Sequence, residues 1–352
     1  MPELPEVETI TNDLKAVLRG ACFGKAEVFN EKSVVGDLAL FDKLCGEKIT
    51  KIFRRGKFIN IFFENDSVIT FHLRMTGRII ANKSAEEMRH ERARLIFNKI
   101  ILHFCDVRKF GRIWINKKSD YELKTGISKL GIEPLSPEFS FEKFLELVRG
   151  KKGTIKSFLL KQHPITGIGN IYADESCFYA RLRPDSRLEN LPKKDLESLF
   201  SSIKKALTQG VENRGTSVSD FMDTKGEKGR NQELLYVYKR AGKPCLICHK
   251  KLQKIKLAGR TTVFCSDCQQ KKGKHCGLSK EISSILVRAK GGHNLTSFLC
   301  GNYETISGGL TSPWIILLEF SAFFVNLRLM HLRNQISWIF LAVIQDMGIL
   351  LR

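Results

Sequence analysis

The sequence predicts an α+β protein with two lobes and a small cysteine-rich module. Residues up to about Lys118 read mainly as short strands rich in β-branched and aromatic side chains. From Ser140 onward the apolar residues recur at helical spacing instead. Two Cys-x2-Cys pairs follow between Lys243 and Lys271. A strand-rich segment followed by a helical one indicates an α+β arrangement.

The chain opens with "MPELPEVETI", which predicts a helix that begins at Pro2. Apolar residues recur at three- and four-residue steps through Val17, and Gly20 follows as a stop signal. Proline is common at the first helical position, and Glu3 complements the helix dipole there. A second interpretation is chemical, because loss of Met1 would leave a free secondary amine beside a carboxylate. This stretch alone leaves both interpretations open.

The remaining elements follow from the spacing of apolar residues along the chain. Four runs predict the strands: "KITKIFRRGKFINIFFE", "SVITFHLRMTGRII", "ARLIFNKIILHFCD" and "GRIWIN". Four others predict helices: "FEKFLELVRG", "TIKSFLLK", "NIYADESCFYARL" and "KKDLESLFSSIKKALTQGVEN". The Gly-rich polar stretch "RGTSVSDFMDTKGEKGRNQ" predicts a mobile surface loop.

The late cysteines have the spacing of a zinc site. Two Cys-x2-Cys pairs are separated by sixteen residues, and four thiolates in this pattern form a tetrahedral Zn²⁺ site. The intervening "HKKLQKIKLAGRTTVF" predicts two strands joined by a turn at Ala258-Gly259-Arg260. The metal would stabilise a hairpin that is too small to have a core. His249 and Cys276 are spare potential ligands that we leave outside the site.

The net charge is strongly positive and unevenly distributed. The 352 residues include 58 Lys+Arg and 37 Asp+Glu, a net charge of +21, of which residues 1–275 carry +19. An excess of this size suits a polyanionic partner, since phosphate contacts release counterions. A basic surface that only keeps the protein in solution is the alternative.

The other cysteines predict a reduced protein. Cys22, Cys45, Cys105 and Cys177 are scattered singly through apolar stretches, which is typical of a reduced intracellular compartment. The acidic and polar start of the chain lacks the pattern of a signal peptide. We therefore expect the protein in the cytoplasm.

Three further stretches combine basic, aromatic and glycine residues in ways that suit DNA. In "GIGNIYADE", two glycines permit a tight turn, and Asn170 stands at an N-cap position where helix N–H groups could bind phosphate. Lys57 follows two arginines at the start of a strand. Met75 and Phe110 lie on turns near Arg108, where they could replace an extruded base. Taken singly, each stretch also fits a plain structural role.

The sequence changes character from Cys276 onward. "PWIILLEFSAFFVNLRL" and "ISWIFLAVIQDMGILL" are strongly apolar, but Glu319 and Asp346 interrupt them. A membrane span needs roughly 20 apolar residues. The tail is interpreted first as an accidental or poorly ordered extension, then as a helical hairpin, and last as a membrane anchor.

Six motifs stand in the same order as in the formamidopyrimidine-DNA glycosylases of bacteria: "PELPEVET", "RRGKF", "HLRMTG", "DVRKFG", "GIGNIYADE" and the four-cysteine module. Residues 2–272 resemble this family. The resemblance implies an N-terminal β-sandwich lobe (2–130), a helix–two-turn–helix lobe (131–240) and a zinc-finger hairpin (241–272), with 273–352 as an extension that has no counterpart. It also implies removal of oxidised purines, such as 8-oxoguanine and formamidopyrimidines, followed by strand cleavage through β,δ-elimination.

The resemblance further implies roles for individual residues. Pro2 would attack the sugar C1′ and form a Schiff base, with Glu3 as acid and base. Lys57 would contact phosphate and assist proton transfer, and Arg260 would bind the phosphate involved in elimination. The implied DNA contacts are His72, Met75, His90, Arg108, Phe110, Lys151 and Asn170. One structural Zn²⁺ would be bound by Cys245, Cys248, Cys265 and Cys268.

The resemblance gives some of these residues a role in filling the gap in the duplex, and it gives one loop a role in covering the damaged base. Met75, Arg108 and Phe110 would fill the gap left by the flipped nucleotide, with Arg108 facing the unpaired base. Residues from Ser217 to Gly229 match the loop that closes over the damaged base. The implied partner is damaged double-stranded DNA, with the enzyme acting as a monomer in the cytoplasm or nucleoid and with no membrane contact for residues 2–272.

Two other functions remain open at this level. An endonuclease VIII-like relative shares the proline, glutamate, lysine and zinc finger, but prefers oxidised pyrimidines. A non-catalytic zinc-ribbon protein could keep the fold and only bind DNA. The "PELPEVET" motif and the Met75, Arg108 and Phe110 set favour the purine enzyme over the first. Intact Pro2, Glu3 and Lys57 argue against the second.

Overall fold

A computed structural model describes residues 1–218 and 220–272. The helices are α1 (Leu4–Val17), α2 (Ala39–Asp42), α3 (Tyr121–Thr125), α4 (Phe141–Val148), α5 (Ile155–Leu159), α6 (Asn170–Tyr179) and α7 (Lys193–Glu212). The strands are β1 (Phe23–Val28), β2 (Val34–Gly36), β3 (Ile49–Arg55), β4 (Phe58–Phe63), β5 (Ser67–His72), β6 (Gly77–Asn82), β7 (Glu91–Phe97), β8 (Ile101–Asp106), β9 (Arg112–Lys117), β10 (Gln253–Leu257) and β11 (Arg260–Phe264). The predicted α+β class is confirmed.

Two sheets form the N-terminal lobe. One has the strand order β1-β7-β8-β6 and the other the order β2-β9-β5-β4-β3. Their inner faces are lined with buried aliphatic and aromatic side chains that form one core. Phe71 of one sheet and Phe104 of the other meet in it, with ring centroids 6.1 Å apart. This face-to-face packing is the predicted β-sandwich.

Helix α1 joins the two lobes. Val7, Ile10 and Leu14 pack into the core of the sandwich. Leu4, one turn earlier, belongs to the core of the helical lobe, and its N–H donates to the carbonyl of Gly167 at 3.0 Å. The residues that precede α1 therefore lie at the junction between the lobes.

Helices α4 to α7 build the second lobe around their own apolar core. Tyr172 of α6 packs directly on Gly210 of α7, where a Cβ would lie 2.5 Å from the tyrosine oxygen. The zinc-finger hairpin β10–β11 packs on this lobe through a smaller cluster that includes Phe178 and Val237. The hairpin thus has a fixed position relative to α6.

The segment that the sequence predicts as a mobile surface loop is irregular but anchored. Thr216, Asp223 and Thr224 in it are at most 2% exposed. The carbonyl of Thr224 accepts a hydrogen bond from the N–H of Ala81 in β6, at 2.8 Å. Its described residues form no helix or strand before Asn231, as expected for a loop, but several of its polar residues bind partners far away in the sequence. Ser219, inside it, lies outside the described residues.

The predictions for the tail, residues 273–352, also fall outside the described part of the chain. Among the helices that are described, none is both long and apolar enough to span a bilayer.

Candidate active site and nucleic-acid interface

Glu3 lies where the N-termini of α1 and α6 meet. Its carboxylate accepts hydrogen bonds from the N–H groups of Gly169, Ile171 and Tyr172, at 2.8, 2.9 and 3.3 Å. Amides at the start of a helix lack intrahelical acceptors and favour an anion. A Cβ on Gly169 would lie 2.4 Å from the carboxyl carbon of Glu3, so only glycine permits this approach. These amides bind Glu3, whereas the sequence suggested a phosphate for them.

Pro2 precedes this carboxylate directly. Pro2 and Glu3 are buried, whereas Met1 is 41% exposed. The predicted nucleophile therefore sits at the lobe junction, with a residue before it that projects toward solvent.

A second carboxylate, Glu6, lies beneath Glu3 and was not predicted. It is 1% exposed and accepts hydrogen bonds from the N–H of Glu3 (2.8 Å), the Tyr172 hydroxyl (2.7 Å) and the N–H of Thr216 (2.8 Å). Burial, reinforced by the nearby charge of Glu3, raises the pKa of Glu6 to about 7. The three-residue spacing between the two glutamates is that of a capping box, the one sequence signal that could have indicated it.

Lys57 lies against the glycine turn that leads into α6. Its ammonium donates to the carbonyl of Ile168 at 3.1 Å, and the residue is 7% exposed. Burial lowers the pKa of Lys57 below its usual range, and the positive charge of Arg260 acts in the same direction, while Glu3 and Glu6 act against it. The shift toward the neutral form suits a lysine that exchanges protons.

The turn that precedes Lys57 is tied to the helical lobe. Glu133 accepts from the guanidinium groups of Arg54 (2.6 Å) and Arg55 (3.0 Å) and from the N–H of Gly56 (2.6 Å). Gly56 has a φ of +56°, and a Cβ there would lie 2.4 Å from the Thr166 hydroxyl. The "RRGK" motif is therefore a clamp between the lobes that sets the position of Lys57.

The zinc-finger hairpin brings Arg260 to the same region. Asn170, which is the first residue of α6 with Gly169 as the N-cap, donates through its amide to the carbonyl of Thr261 at 3.3 Å. Beneath this contact, Lys156 and Asp174 form a fully buried ion pair with an N–O distance of 2.6 Å. The ammonium of Lys156 also donates to the Thr262 hydroxyl at 2.7 Å. The start of β11 is thus fixed against α6.

The four cysteines of the module form one cluster. Their sulfur atoms all lie within 4.8 Å of one another, with Sγ–Sγ distances of 3.8 Å for Cys245–Cys268 and 3.4 Å for Cys248–Cys265. Tetrahedral Zn–S bonds of about 2.3 Å place ligand sulfurs about 3.8 Å apart, so the donor set fits Zn²⁺. The predicted structural zinc site is confirmed.

His72, the last residue of β5, is buried against Phe58, with ring centroids 4.6 Å apart. Its Nδ1 accepts a hydrogen bond from the N–H of Arg74 at 3.0 Å. Burial, with the charges of Arg74 and Lys57, lowers the pKa of His72 to about 3. The ring is therefore neutral, with its proton on Nε2, and it can act as a hydrogen-bond donor but not as a cation.

Met75, Arg108 and Phe110 form an exposed stack on two adjacent loops. A guanidinium nitrogen of Arg108 lies 3.3 Å from the Met75 sulfur, and the guanidinium carbon lies 4.8 Å from the centre of the Phe110 ring. Met75 is 41% and Phe110 is 49% exposed, and the neighbouring Val107, which was not predicted, is 51% exposed. Apolar side chains this exposed indicate a surface that meets a partner.

His90 and Lys151 lie in other segments. His90 precedes β7 with a φ of +63° and lines a 390 Å³ cavity together with Thr76, Arg78 and Val107. Lys151 is exposed on the turn after α4, and its N–H donates to the carbonyl of Val148 at 3.0 Å. Within the described residues, no hydrogen bond joins either residue to Glu3 or Lys57.

Three family models match successive parts of this chain. They are the formamidopyrimidine-DNA glycosylase N-terminal domain at residues 1–113, the formamidopyrimidine-DNA glycosylase H2TH domain at residues 130–222, and the zinc finger found in FPG and IleRS at residues 242–271.

Curated relatives agree with these matches. The formamidopyrimidine-DNA glycosylases of Pelotomaculum thermopropionicum and Heliobacterium modesticaldum are 40% and 37% identical over 278 residues, which are 77% of this chain and 100% of each relative.

Solved structures are similar over the same region. The MutM (Fpg) protein of Thermus thermophilus matches with a TM-score of 0.70 at 33% identity, covering 77% of this chain and 100% of that one. Lactococcus lactis Fpg in complex with abasic-site DNA matches with a TM-score of 0.71 at 33% identity, covering 76% of this chain and 100% of that one. With its three domains matched in order, this chain belongs to the formamidopyrimidine-DNA glycosylase family.

Proposed function

We propose that this protein is a bifunctional DNA glycosylase and abasic-site lyase of base excision repair, acting on oxidised purines. The observation that carries the proposal is the constellation at the lobe junction. Pro2 and Glu3 lie at the start of α1, and the buried Lys57 and the amides of α6 converge on the same point. A nucleophile, an acid–base carboxylate and a lysine with a lowered pKa are the groups that base removal followed by elimination requires.

The proposed reaction begins once Met1 is removed. The secondary amine of Pro2 attacks C1′ and displaces the damaged base, which leaves with the bonding electron pair and takes up a proton. The nitrogen then loses its proton, the C1′–O4′ bond breaks as Glu3 protonates O4′, and the opened sugar carries a cationic iminium at C1′. Loss of a proton from C2′ then expels the 3′ phosphate, and a second elimination expels the 5′ phosphate. The iminium accepts the electrons at each elimination, and hydrolysis returns the amine.

The surroundings of Pro2 favour this chemistry. An α-amino group has a pKa of about 8, so part of it is neutral near pH 7. The positive end of α1 disfavours a positive charge on this nitrogen. Glu3 is fixed by three amides and can exchange protons with the sugar without changing its position. Arg260, exposed at the start of β11, would bind the phosphate that leaves.

The remaining predicted residues are assigned to DNA. The Met75, Arg108 and Phe110 stack would enter the space of the extruded nucleotide, and His72 would donate from its neutral ring to a phosphate. His90, Lys151 and Asn170 are proposed as further backbone contacts, and residues 217–229 as the segment that covers the base. A net charge of +21 supports binding to duplex DNA.

The division of the chain into lobes of residues 2–130 and 131–240 with a finger at 241–272 is part of this proposal. So are action as a monomer and a location in the cytoplasm or nucleoid of a bacterium.

Borohydride trapping on abasic DNA tests the lyase half of the proposal. Reduction of the iminium should give a covalent complex, and peptide mapping should place the adduct on Pro2. Intact mass of the active protein should lack Met1, since a retained methionine would make the nitrogen an unreactive amide. Absence of any covalent complex would favour a protein that binds DNA without reacting.

A lesion assay tests the substrate class. Lactococcus lactis Fpg has been crystallised with DNA that contains N7-benzyl-Fapy-dG and with DNA that contains an oxidised pyrimidine. We expect faster single-turnover excision from 8-oxoguanine duplexes than from thymine glycol duplexes. A clear preference for thymine glycol would support the endonuclease VIII-like alternative instead.

A further inference from the structure

We propose that Asp106 is the positioning residue that assembles the DNA wedge formed by Met75, Arg108 and Phe110. The inference rests on the proposed function, because it concerns how the enzyme replaces an extruded base. Asp106 is 1% exposed at the end of β8, so it does not contact DNA itself. It acts through the loops that carry the wedge.

The carboxylate of Asp106 binds both wedge loops. One oxygen accepts hydrogen bonds from the Thr76 hydroxyl (2.5 Å) and from the N–H of Arg108 (3.1 Å). The other accepts from the N–H of Gly111 at 2.6 Å. The Thr76 hydroxyl also accepts from the N–H of Arg108 at 3.3 Å. Thr76 follows Met75 directly, and the bonds to Arg108 and Gly111 close the loop around Phe110.

The main chain of Asp106 binds a third segment. Its N–H donates to the carbonyl of His90 at 3.0 Å, and its carbonyl accepts from the guanidinium of Arg92 at 2.8 Å. Three stretches proposed to contact DNA therefore meet at one buried residue.

The backbone of these stretches needs such support. Each of the three contains one non-glycine residue in the left-handed region: Arg74 with φ +54°, His90 with φ +63° and Lys109 with φ +59°. This conformation is unfavourable for residues with a Cβ, and it persists only where surrounding contacts enforce it. The exposed stack lacks a core of its own, so its shape depends on the bonds beneath it.

Asp106→Asn is the direct test. An asparagine keeps the shape but presents an NH₂ group to one of the two backbone N–H donors. Either Gly111 then loses its acceptor, or Arg108 keeps only the longer bond to the Thr76 hydroxyl. We expect single-turnover excision from an 8-oxoguanine duplex to fall about 10- to 100-fold, because a misplaced wedge cannot fill the gap. Any discrimination that the wild type shows between cytosine and adenine opposite the lesion should weaken as well, since Arg108 would no longer face that base in a fixed position.

Borohydride trapping on single-stranded abasic DNA separates positioning from folding. This substrate has no base pair to open, so it needs Pro2 and Glu3 but not the wedge. We expect trapping by Asp106→Asn to stay within about threefold of wild type. Equal losses on duplex and single strand would overturn the inference, as would an unchanged duplex rate and an unchanged opposite-base preference.

A second variant tests the same inference even if Asp106→Asn does not fold. Thr76→Val removes only the bridging hydroxyl, and Thr70→Val is its matched control, because Thr70 is buried in the same lobe and donates to Asn60 at 2.9 Å. Thr76→Val should slow duplex excision, and Thr70→Val should not; equal effects would again overturn the inference. Failure of the wild type to trap on either substrate would instead reject the proposed function, and with it this inference.

Discussion

The lobe junction and the wedge are built in opposite ways. At the junction, Glu3 and Lys57 are at most 7% exposed, and their polar atoms are bonded to backbone groups of the other lobe. In the wedge, Met75 and Phe110 are 41% and 49% exposed, and the bonds that fix them lie underneath. At the junction, burial lowers the pKa of Lys57 and raises that of Glu6, whereas the wedge presents exposed side chains to a partner.

Because of this difference, we expect mutations at the junction and mutations in the wedge to affect different substrates. Changes at the junction should alter chemistry on every substrate, because every substrate passes through the same amine and carboxylate. Changes in the wedge should matter only where a base pair must be opened and its space filled. Variants of the wedge are therefore compared on duplex and on single-stranded DNA.

Glu3→Gln should give the largest effect. Glutamine cannot exchange a proton, and its NH₂ group would face one of the amides of Gly169 or Ile171. We expect excision from an 8-oxoguanine duplex to fall about 1,000-fold in single-turnover kinetics, in line with the loss of a general acid–base. Affinity for a duplex that contains a stable abasic analogue should change by less than about threefold.

The control for this variant is Glu146→Gln, on the exposed surface of α4, where the carboxylate only pairs with Lys143. It should behave as wild type. If Glu3→Gln kept wild-type excision, the proposed role of the lobe junction would be wrong.

Removal of zinc should have the next largest effect, and it acts on binding. The metal stabilises the hairpin that begins at Arg260, so chelation should free this arginine while the sandwich core persists. We expect affinity for abasic duplex to weaken roughly 10- to 100-fold, the value of a charge-assisted bond to phosphate. Fluorescence anisotropy measures the affinity, and re-addition of Zn²⁺ should restore it. Arg260→Ala should reproduce the loss, and a chelated protein that binds as before would contradict the expectation.

Some of this site could be predicted from local sequence, and the rest could not. The four cysteines and the glycine turn were predictable because their chemistry depends on spacing within a few residues. Glu6 was missed because its pKa depends on Tyr172 and Thr216, which are more than 160 residues away in the chain. Asp106 was missed for the same reason, since an aspartate at a strand end gives no sign of the Thr76 hydroxyl that it binds.

The fold, too, could be predicted only in part from local sequence. Strand and helix periodicity predicted two lobes, but periodicity does not report that α1 contributes to both cores. It also could not predict that Asp223 and Thr224 in the polar segment after α7 are buried, because partners of this segment such as Asp13 and Ala81 lie in the other lobe.

Glu6→Gln should change the pH dependence of stability. The folded-state pKa of about 7 lies above the ordinary value of 4.5, so this carboxyl contributes stability below about pH 4.5 that is lost as pH rises through 7. Between pH 5.5 and 7.5 the free energy of unfolding should therefore fall by about 2 kcal/mol more in wild type than in Glu6→Gln. Urea unfolding at several pH values measures this difference. If the free energy of unfolding changed with pH in the same way in both proteins, the pKa of Glu6 would not be raised in the folded state.

Phe110→Ala should give the smallest loss of activity. Unlike a change at the lobe junction, it should affect duplex substrates and leave single-stranded substrates unchanged. Loss of the ring should slow excision from duplex by about 10-fold, because less apolar surface replaces the extruded base. Trapping on single-stranded abasic DNA should not change.

Phe29→Ala is a closely matched control for this variant. Phe29 is also 49% exposed in the same lobe, and the guanidinium of Arg94 lies 5.4 Å from the centre of its ring, much as Arg108 lies 4.8 Å from that of Phe110. The two phenylalanines share exposure and an arginine partner, but only Phe110 stands beside Met75 on the loops that Asp106 joins. A duplex-specific defect in Phe110→Ala alone would show that position in the wedge, and not the loss of an exposed ring, controls base extrusion; equal defects in both variants would contradict the wedge.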